Sequence, residues 1–325
     1  MGDRFKLCKG AALSMKNKKN PRVVLCAYSE VGAVCLETLL RLKANLVGVF
    51  TYADDPEENT WFRSVETIAK KAQIPVYTPE GFDNPEDCRR LLELKPDLLL
   101  SCYYRHLLPK ELLEAPSLGA WNMHGSLLPK YRGRACINWA LLKGEIETGV
   151  TLHAMTEKPD QGDILGQERV PIPRYYTGLD LSLGCAAAAG RLLRRSWKSL
   201  LSGNPSCTPQ DLGQASYFGG RKPEDGRIDW SASAEEIYNL VRAVTQPWPG
   251  AFTTWGEKKL FIWWGYPRPE KATGAPGEIF SLDPLEITTG EGVFVIETVQ
   301  PQGGAEQTAK AWVKNQNIAC GSILR

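Results

Sequence analysis

The 325-residue sequence lacks the patterns that would assign it to several common classes of protein. The turn after the first predicted strand, residues 28–32, contains neither G-x-G-x-x-G nor G-x-x-x-x-G-K-[ST], so no motif supports a dinucleotide or nucleoside triphosphate site. The apolar runs are also far shorter than the ~20 residues that a transmembrane helix needs. We therefore expect neither an NAD cofactor nor a membrane partner.

Metal-binding and disulfide patterns are missing as well. The nine cysteines include no C-x-x-C pair, and they do not cluster with the three histidines at zinc-site spacings. Most of them lie in apolar runs, which is typical of reduced core residues in a cytoplasmic protein. We expect no metal and a cytoplasmic location.

Positive charge is scarce outside the N-terminus. The first 20 residues carry six basic side chains against one acid, Asp3, and are therefore +5; the whole chain is +2, which leaves −3 for residues 21–325. A slightly acidic body argues against a large nucleic-acid surface. Residues 1–20 make a poor signal peptide, and we predict a disordered basic tail, or an extension upstream of a start at Met15.

The first half of the chain alternates strand and helix patterns. This rhythm predicts an α/β fold with a Rossmann-like, mostly parallel sheet and helices on both faces. Strands are predicted at Val23–Tyr28, Leu46–Thr51, Pro75–Tyr77, Asp97–Cys102, Ala120–His124, Gly149–Met155 and Ile164–Ile172. Helices are predicted at Val34–Leu42, Val65–Ala72, Glu86–Leu94, Pro109–Leu113, Ala135–Lys143 and Leu179–Leu201.

The pattern changes near residue 203. Residues 204–233 are rich in Gly, Pro and Ser and are predicted to be a linker between a catalytic domain (21–203) and a small C-terminal domain (234–325). A helix is predicted at Ala234–Val244. Short strands separated by turn residues follow and predict a small, OB-like β-barrel: Ala251–Trp255, Leu260–Trp264, Gly277–Leu282, Leu285–Thr288, Gly292–Val299 and Ala311–Val313.

One strand end carries residues suited to acyl transfer. Asn122 and His124 are two residues apart, so on a strand they point to the same side, and ligands bind at the carboxyl ends of parallel strands. An amide can stabilise an oxyanion while an imidazole moves a proton. Asp160, in a predicted turn after a strand, could orient His124 and raise its pKa. Taken alone, the pair is more typical of a hydrogen-bonded structural histidine, and Asp160 of a turn residue.

The sequence motifs around Asn122, His124 and Asp160 form a longer combined pattern. N-x-H-x-S-L-L-P-K-x-R-G (Asn122–Gly133), T-G-V-T (Thr148–Thr151) and D-x-G-D (Asp160–Asp163) together resemble the folate-dependent formyltransferase family. The resemblance implies that the Asn polarises the formyl oxygen, that the His acts as base or acid, and that the Asp orients the His. It also implies 10-formyltetrahydrofolate as co-substrate.

Within the family, the chain resembles the formyltransferase domains of bifunctional UDP-4-amino-4-deoxy-L-arabinose enzymes, which modify lipid A. The resemblance runs over about residues 21–325, for example in HGSLLPKYRGRA (124–135) and PWPGAF (247–252). It implies folate contacts from His106, Leu107, Leu108, Arg134, Thr156, Glu157, Lys158, Pro159 and Asp160. We interpret His153, which alternates with apolar neighbours on a strand, as mainly structural.

Several acceptors of the formyl group stay open at this point. The resemblance favours a nucleotide-linked amino sugar, with UDP-4-amino-4-deoxy-L-arabinose first and dTDP- or GDP-linked sugars as alternatives. Methionyl-tRNA, the acceptor of another branch of the family, would need a basic surface that the acidic body does not suggest. A non-catalytic folate-binding protein is a third hypothesis. The sequence does not define the oligomeric state, and a homo-oligomer is among the options.

Overall fold

The computed structural model describes residues 20–54, 59–270, 273–316 and 318–325. The predicted basic tail lies outside the described residues except for Asn20. The elements of the first half, in chain order, are β1 (Arg22–Ala27), α1 (Ser29–Arg41), β2 (Asn45–Phe50), α2 (Val65–Lys71), β3 (Val76–Tyr77), α3 (Pro85–Glu93), β4 (Leu98–Cys102), α4 (Lys110–Glu114), β5 (Ala120–His124), β6 (Arg132–Gly133), α5 (Cys136–Leu142), β7 (Glu147–Ala154), β8 (Ile164–Pro171) and α6 (Gly178–Leu201).

These elements form a seven-stranded sheet in the order β3-β2-β1-β4-β5-β7-β8. The first five strands pair in parallel, whereas β7 is antiparallel to both β5 and β8. The predicted mostly parallel sheet is therefore confirmed. The parallel strands end at one edge, which is where β5 delivers Asn122 and His124.

Strand β1 shows why helices cover both faces of this sheet. It is fully buried from Val23 onwards, and its successive side chains point to opposite faces. Val23 and Leu25 pack in the larger apolar cluster, to which α1, α5 and α6 contribute. Val24 and Cys26 pack in a second cluster with apolar residues of α3 and α4. A continuous apolar strand is the pattern expected for this two-sided burial.

The second half of the chain contains β9 (Tyr217–Phe218), α7 (Ala234–Val244), β10 (Ala251–Trp255), β11 (Lys258–Arg268), β12 (Ile279–Leu282), β13 (Leu285–Thr288), β14 (Val293–Pro301), β15 (Gln307–Thr308) and α8 (Ala309–Gln316). The last six strands form an antiparallel sheet in the order β10-β11-β14-β13-β12, with β15 added to β14.

The C-terminal residues connect the two edges of this antiparallel sheet. The Arg325 backbone exchanges hydrogen bonds with Thr254 of β10, while Ile279 of β12 donates to the Ser322 carbonyl. Leu324 between them donates to the Gly277 carbonyl. The predicted barrel is therefore closed by the C-terminal segment rather than by direct pairing of β10 with β12.

One local prediction differs from the structure, and one predicted segment makes contacts that its sequence does not indicate. Ala311–Val313 lies in helix α8, not in a strand, because Ala309 and Trp312 bury one helical face against the sheet. The predicted linker, residues 204–233, is also more than a connection. Its strand β9 pairs with β6, which lies in the loop between β5 and α5 (residues 125–135), here called the catalytic loop.

Among the described residues, no helix is both long enough and apolar enough to cross a bilayer. The eight cysteines in that part of the chain form no disulfide. No group of three or more His, Cys, Asp or Glu side chains is placed there so that it could hold a metal ion.

Candidate active site

The pairing of β5 with β7 places a histidine opposite Asn122. The antiparallel register puts Asn122 across from His153, so both side chains lie on the same face of the sheet. His153 donates from Nδ1 to the Ala154 carbonyl (2.8 Å), which leaves Nε2 as an acceptor. The Asn122 amide Nδ2 donates to that Nε2 at 3.1 Å. His153 therefore fixes the orientation of the Asn122 amide.

His124 lies at the end of β5 and is buried, with 6% of its surface exposed. Its Nε2 donates to the Tyr131 carbonyl at 2.8 Å, because a carbonyl can only accept. The other ring nitrogen, Nδ1, lies 3.4 Å from Oδ1 of Asp160. In the neutral imidazole, Nδ1 is therefore the atom that can take up a proton, and the resulting cation would be paired at once with Asp160.

Asp160 is held on both sides of its carboxylate. Oδ2 accepts from the Gly133 backbone N–H at 2.9 Å, and Oδ1 lies 3.6 Å from Nε2 of His153. Burial alone would raise the pKa of Asp160, but the imidazoles of His153 and His124 in their protonated forms, together with the Gly133 N–H, lower it to about 2. Asp160 is therefore an anion throughout the physiological pH range.

The environment of His124 favours its neutral form. Burial lowers the pKa of His124 below its ordinary value, while the Asp160 carboxylate and the hydrogen bond to Tyr131 oppose this shift. A neutral histidine beside a permanent carboxylate is suited to accept a proton during a reaction. The cluster is equipped for proton transfer near neutral pH.

Backbone strain is concentrated around these residues. Among the described non-glycine residues, eight have a positive φ, and three of these directly follow helix ends, where this conformation is common. The other five surround the site: Ser29, Tyr103, Tyr131, Ala135 and Asp160. Each costs of order 1–3 kcal/mol and persists only where the surroundings enforce it. Such clustering points to a functional site.

A cavity of about 140 Å³ is lined in part by residues that follow or contact the loop after His124. Its wall includes Ser29, Trp61, Tyr103, Cys136, Asn138 and Trp248. Two of these reach the catalytic loop. The Tyr103 hydroxyl lies 1.7 Å from the position that a Cβ on Gly125 would occupy, so only glycine fits beside His124. The Cys136 sulfur lies 3.0 Å from the same position, and burial and, to a lesser degree, the Asp160 carboxylate raise the pKa of this thiol to about 12.

The two segments predicted to bind folate lie beside each other. Lys110, at the start of α4, forms an ion pair of 2.9 Å with Glu157 and thereby links the loop before α4 to residues 156–159. Leu107 is 72% exposed, and Thr156–Pro159 are exposed as well. Leu108, in contrast, is buried in the second apolar cluster. An apolar side chain and a loop backbone are therefore presented together to solvent.

The remaining two predicted folate residues occupy different surroundings. His106 is half-buried; its backbone N–H donates to the Tyr52 hydroxyl at 3.1 Å, and its ring lies 5.2 Å from the Tyr52 ring. Arg134 is exposed, follows Gly133 directly, and lies against Gly220 of the segment that follows β9. The structure therefore groups Asn122, His124 and Asp160, and separately the two loops joined by Lys110 and Glu157.

Some residues of the site were not among the predicted ones. The sequence pattern favours a mainly structural role for His153, yet its side chain contacts Asn122 and lies 3.6 Å from Asp160. Tyr131 and Gly133 act through backbone groups, which carry no signal in side-chain chemistry. For His153, the only signal was its position on a strand; the strand that pairs with it could not be read from periodicity.

Comparison with known proteins identifies the family. The model of the family described as formyl transferase matches residues 29–195, and that of the formyl transferase C-terminal domain matches residues 221–317. The chain therefore belongs to the formyl transferase family, and the predicted class of enzyme is confirmed at that level.

Solved structures share the fold at low sequence identity. WlaRD, a sugar 3N-formyl transferase whose structure was determined with dTDP and 5-N-formyl-THF, is 19% identical, with a TM-score of 0.66 over 88% of this chain and 99% of its own. An N-formyltransferase from Helicobacter canadensis, in complex with folinic acid and dTDP-3-aminofucose, is 22% identical, with a TM-score of 0.65 over 85% and 98%. A variant of HypX from Aquifex aeolicus is 18% identical, with a TM-score of 0.62 over 91% of this chain. This chain covers 48% of the length of HypX, which is about half.

Proposed function

We propose that this protein transfers a formyl group from 10-formyltetrahydrofolate to the amine of a nucleotide-linked amino sugar in the cytoplasm. UDP-4-amino-4-deoxy-L-arabinose, an acceptor in lipid A modification, is the favoured substrate, because the sequence resembles that branch of the family. The observation that carries the proposal is the contact between His124 and Asp160, 3.4 Å apart, beside an amide held by His153.

The chemistry follows from the hydrogen bonds of the three residues. The neutral amine attacks the formyl carbon, and the carbonyl oxygen becomes an oxyanion. One N–H of the Asn122 amide is used by His153, and the second has no partner among the residues that the structure describes, so it can donate to that oxyanion. Nδ1 of His124 takes the proton that the amine loses, and Asp160 pairs with the resulting imidazolium. The carbon–N10 bond then breaks, and the His124 imidazolium gives its proton to N10 of the folate, which returns the ring to its neutral form.

The cavity supports a sugar-nucleotide acceptor. Its wall combines indole and phenol rings, from Trp61, Trp248 and Tyr103, with the polar groups of Ser29 and Asn138. Aromatic faces with a few placed polar groups are typical of pockets for small ligands. Its wall residues Tyr103 and Cys136 lie against Gly125, the residue that follows His124, so we expect an amine held there to lie close to the loop after His124. Two of the similar structures were determined with dTDP or a dTDP-linked amino sugar, which is consistent with an acceptor of this class.

An acceptor panel tests the proposal. Wild-type protein, 10-formyltetrahydrofolate and one acceptor are mixed, and tetrahydrofolate release is followed. The acceptors are UDP-4-amino-4-deoxy-L-arabinose, dTDP- and GDP-linked amino sugars, and methionyl-tRNA. We expect turnover with a nucleotide sugar, and a raised acceptor KM in Trp248→Ala with an unchanged Kd for folate. Turnover with methionyl-tRNA alone would overturn the acceptor class, and folate binding without any turnover would favour a non-catalytic role.

A further inference from the structure

Residues 204–233, the segment between the two sheets, contact both strand β8 and the catalytic loop. Thr208 exchanges two backbone hydrogen bonds of 2.8 Å with Ile164. Further along, the Ser216 hydroxyl accepts from the Tyr131 N–H at 2.9 Å, and the Ser216 carbonyl accepts from the Arg132 N–H at 2.9 Å. Tyr131 is the residue whose carbonyl accepts from His124. The segment therefore supports the loop that fixes the His124 ring.

Gln210 makes the most specific contacts in this segment. Its amide nitrogen donates to the carbonyls of Asp160 (2.9 Å) and Gly162 (2.7 Å), the turn that carries the carboxylate. Its amide oxygen accepts from Arg132 at 2.6 Å and 3.2 Å. One side chain thus uses both donor hydrogens and its acceptor oxygen at once.

The contacts of Gln210 connect the two chain segments that form the hydrogen bond between Gly133 and Asp160. Asp160 belongs to the turn that Gln210 holds, and Gly133, which donates to the Asp160 carboxylate at 2.9 Å, directly follows Arg132. Asp160 also has a φ of 57°, a conformation that its surroundings must enforce. Two hydrogen bonds into this turn are a direct means of enforcing it.

We propose that Gln210 is a positioning residue, which holds the Asp160 carboxylate against Nδ1 of His124 and thereby couples the segment between the sheets to catalysis. The inference rests on the proposed function for its effect on turnover. Its geometric part, the placement of Asp160 beside His124, does not depend on the identity of the acceptor.

A titration of the histidines tests the geometric part without any turnover. Because the chain has only three histidines, their imidazole signals can be resolved by NMR in the full-length protein. The Asp160 carboxylate raises the pKa of His124 against the effect of burial, so displacement of that carboxylate should lower it. We expect Gln210→Met, a neutral side chain of similar size, to move the His124 titration to lower pH, in the same direction as Asp160→Asn.

Gln300→Met is the matched control. Gln300 also donates to a carbonyl, that of Gly304 (2.9 Å), and accepts from a side chain, Trp263 (2.9 Å), but it lies in the C-terminal sheet. It should leave the His124 titration unchanged. If Gln210→Met does not fold, Gln210→Asn replaces it, because the shorter amide cannot reach both carbonyls and Arg132.

A double-mutant cycle tests the catalytic part. Gln210→Met should lower kcat about tenfold in the wild-type background and less than about twofold in Asp160→Asn, because it acts through Asp160. Equal losses of kcat in the two backgrounds would overturn the proposal. So would a His124 titration that shifts in Asp160→Asn but stays unchanged in Gln210→Met. Absence of wild-type turnover, together with the expected titrations, would contradict the proposed function but not the placement of Asp160 by Gln210.

Discussion

Nδ1 of His124 faces Oδ1 of Asp160 at 3.4 Å, while Nε2 of the same ring donates to the Tyr131 carbonyl. The backbone, not the carboxylate, therefore selects the tautomer of His124. Asp160 faces the nitrogen that is unprotonated in the neutral ring and stabilises the charge that appears when this nitrogen takes up a proton. The sequence had suggested that Asp160 both orients His124 and raises its pKa; in the structure, Tyr131 fixes the tautomer and Asp160 supplies the charge.

Asp160→Asn should reduce kcat and change its pH dependence. The loss should be on the order of 10²–10³, because the imidazolium formed in the reaction is no longer paired. The carboxylate raises the pKa of His124, so its removal lowers this pKa further below the ordinary value. The acidic limb of the kcat/KM profile, which reports His124 in the free enzyme, should therefore move to lower pH. A limb that stays in place would contradict the assignment of that limb to His124.

Asn122→Ala should cost about 10²–10³ in kcat, the usual effect of losing one oxyanion donor. The affinity for folate should change little, since the interaction strengthens only when the oxyanion forms. Stopped-flow measurement of single-turnover formyl transfer separates this step from product release. A variant with wild-type single-turnover rates would exclude Asn122 as the donor.

His153 provides a test of how Asn122 is oriented. His153→Phe removes the acceptor of the Asn122 amide and should lower kcat about tenfold, since the amide is then free to rotate and its donor is left unpaired. His153→Gln, whose side-chain oxygen can still accept, should lose less. Steady-state kinetics of both variants, with circular dichroism as the folding control, would decide. Equal losses in the two variants would show that packing, rather than the hydrogen bond, matters.

Asp160 should also make the free energy of unfolding depend on pH. Its pKa is lowered from 3.8 to about 2 in the folded state, so it contributes about 2 kcal/mol to the free energy of unfolding above pH 3.8. That contribution is lost as the pH falls from about 4 to about 2. The lowered pKa of His124 also reduces the free energy of unfolding as the pH falls, and this loss begins near the ordinary pKa of a histidine.

The corresponding experiment is urea unfolding of wild type and Asp160→Asn between pH 7 and pH 2. The difference in unfolding free energy should be present at pH 7 and should shrink as the pH approaches 2. Asp283→Asn is the control, because Asp283 is exposed and its one ion pair within the described part of the chain is with the surface residue Lys310. A difference that does not vary with pH would contradict the lowered pKa.

Local patterns predicted most of the fold. The continuous apolar run at β1 and the Ala- and Leu-rich pattern of α6 lead directly to buried elements, because periodicity reports burial. Helix α8 was missed because three residues, Ala311–Val313, are too few to define a period. Closure of the barrel by the C-terminal segment was also missed, since it depends on backbone hydrogen bonds to Thr254 and Ile279.

The site was predictable where side-chain type and spacing carry the chemistry. Asn122 and His124, two apart on one strand, are such a case. His153 depends on the register between β5 and β7, and Gln210 depends on how a loop 50 residues away in sequence folds back onto Asp160. Neither relationship leaves a local trace in the sequence. Long-range contacts of this kind therefore had to come from the structure.

The most direct test of the central claim follows the carbon that moves. 10-Formyltetrahydrofolate labelled with ¹³C at the formyl group is mixed with UDP-4-amino-4-deoxy-L-arabinose and enzyme, and ¹³C NMR is recorded over time. Wild type should convert the folate formyl signal into the formamide signal of the sugar nucleotide, and His124→Ala should slow this by about 10² or more. Formamide formation by His124→Ala at the wild-type rate, or release of the label as free formate alone by wild type, would contradict the account.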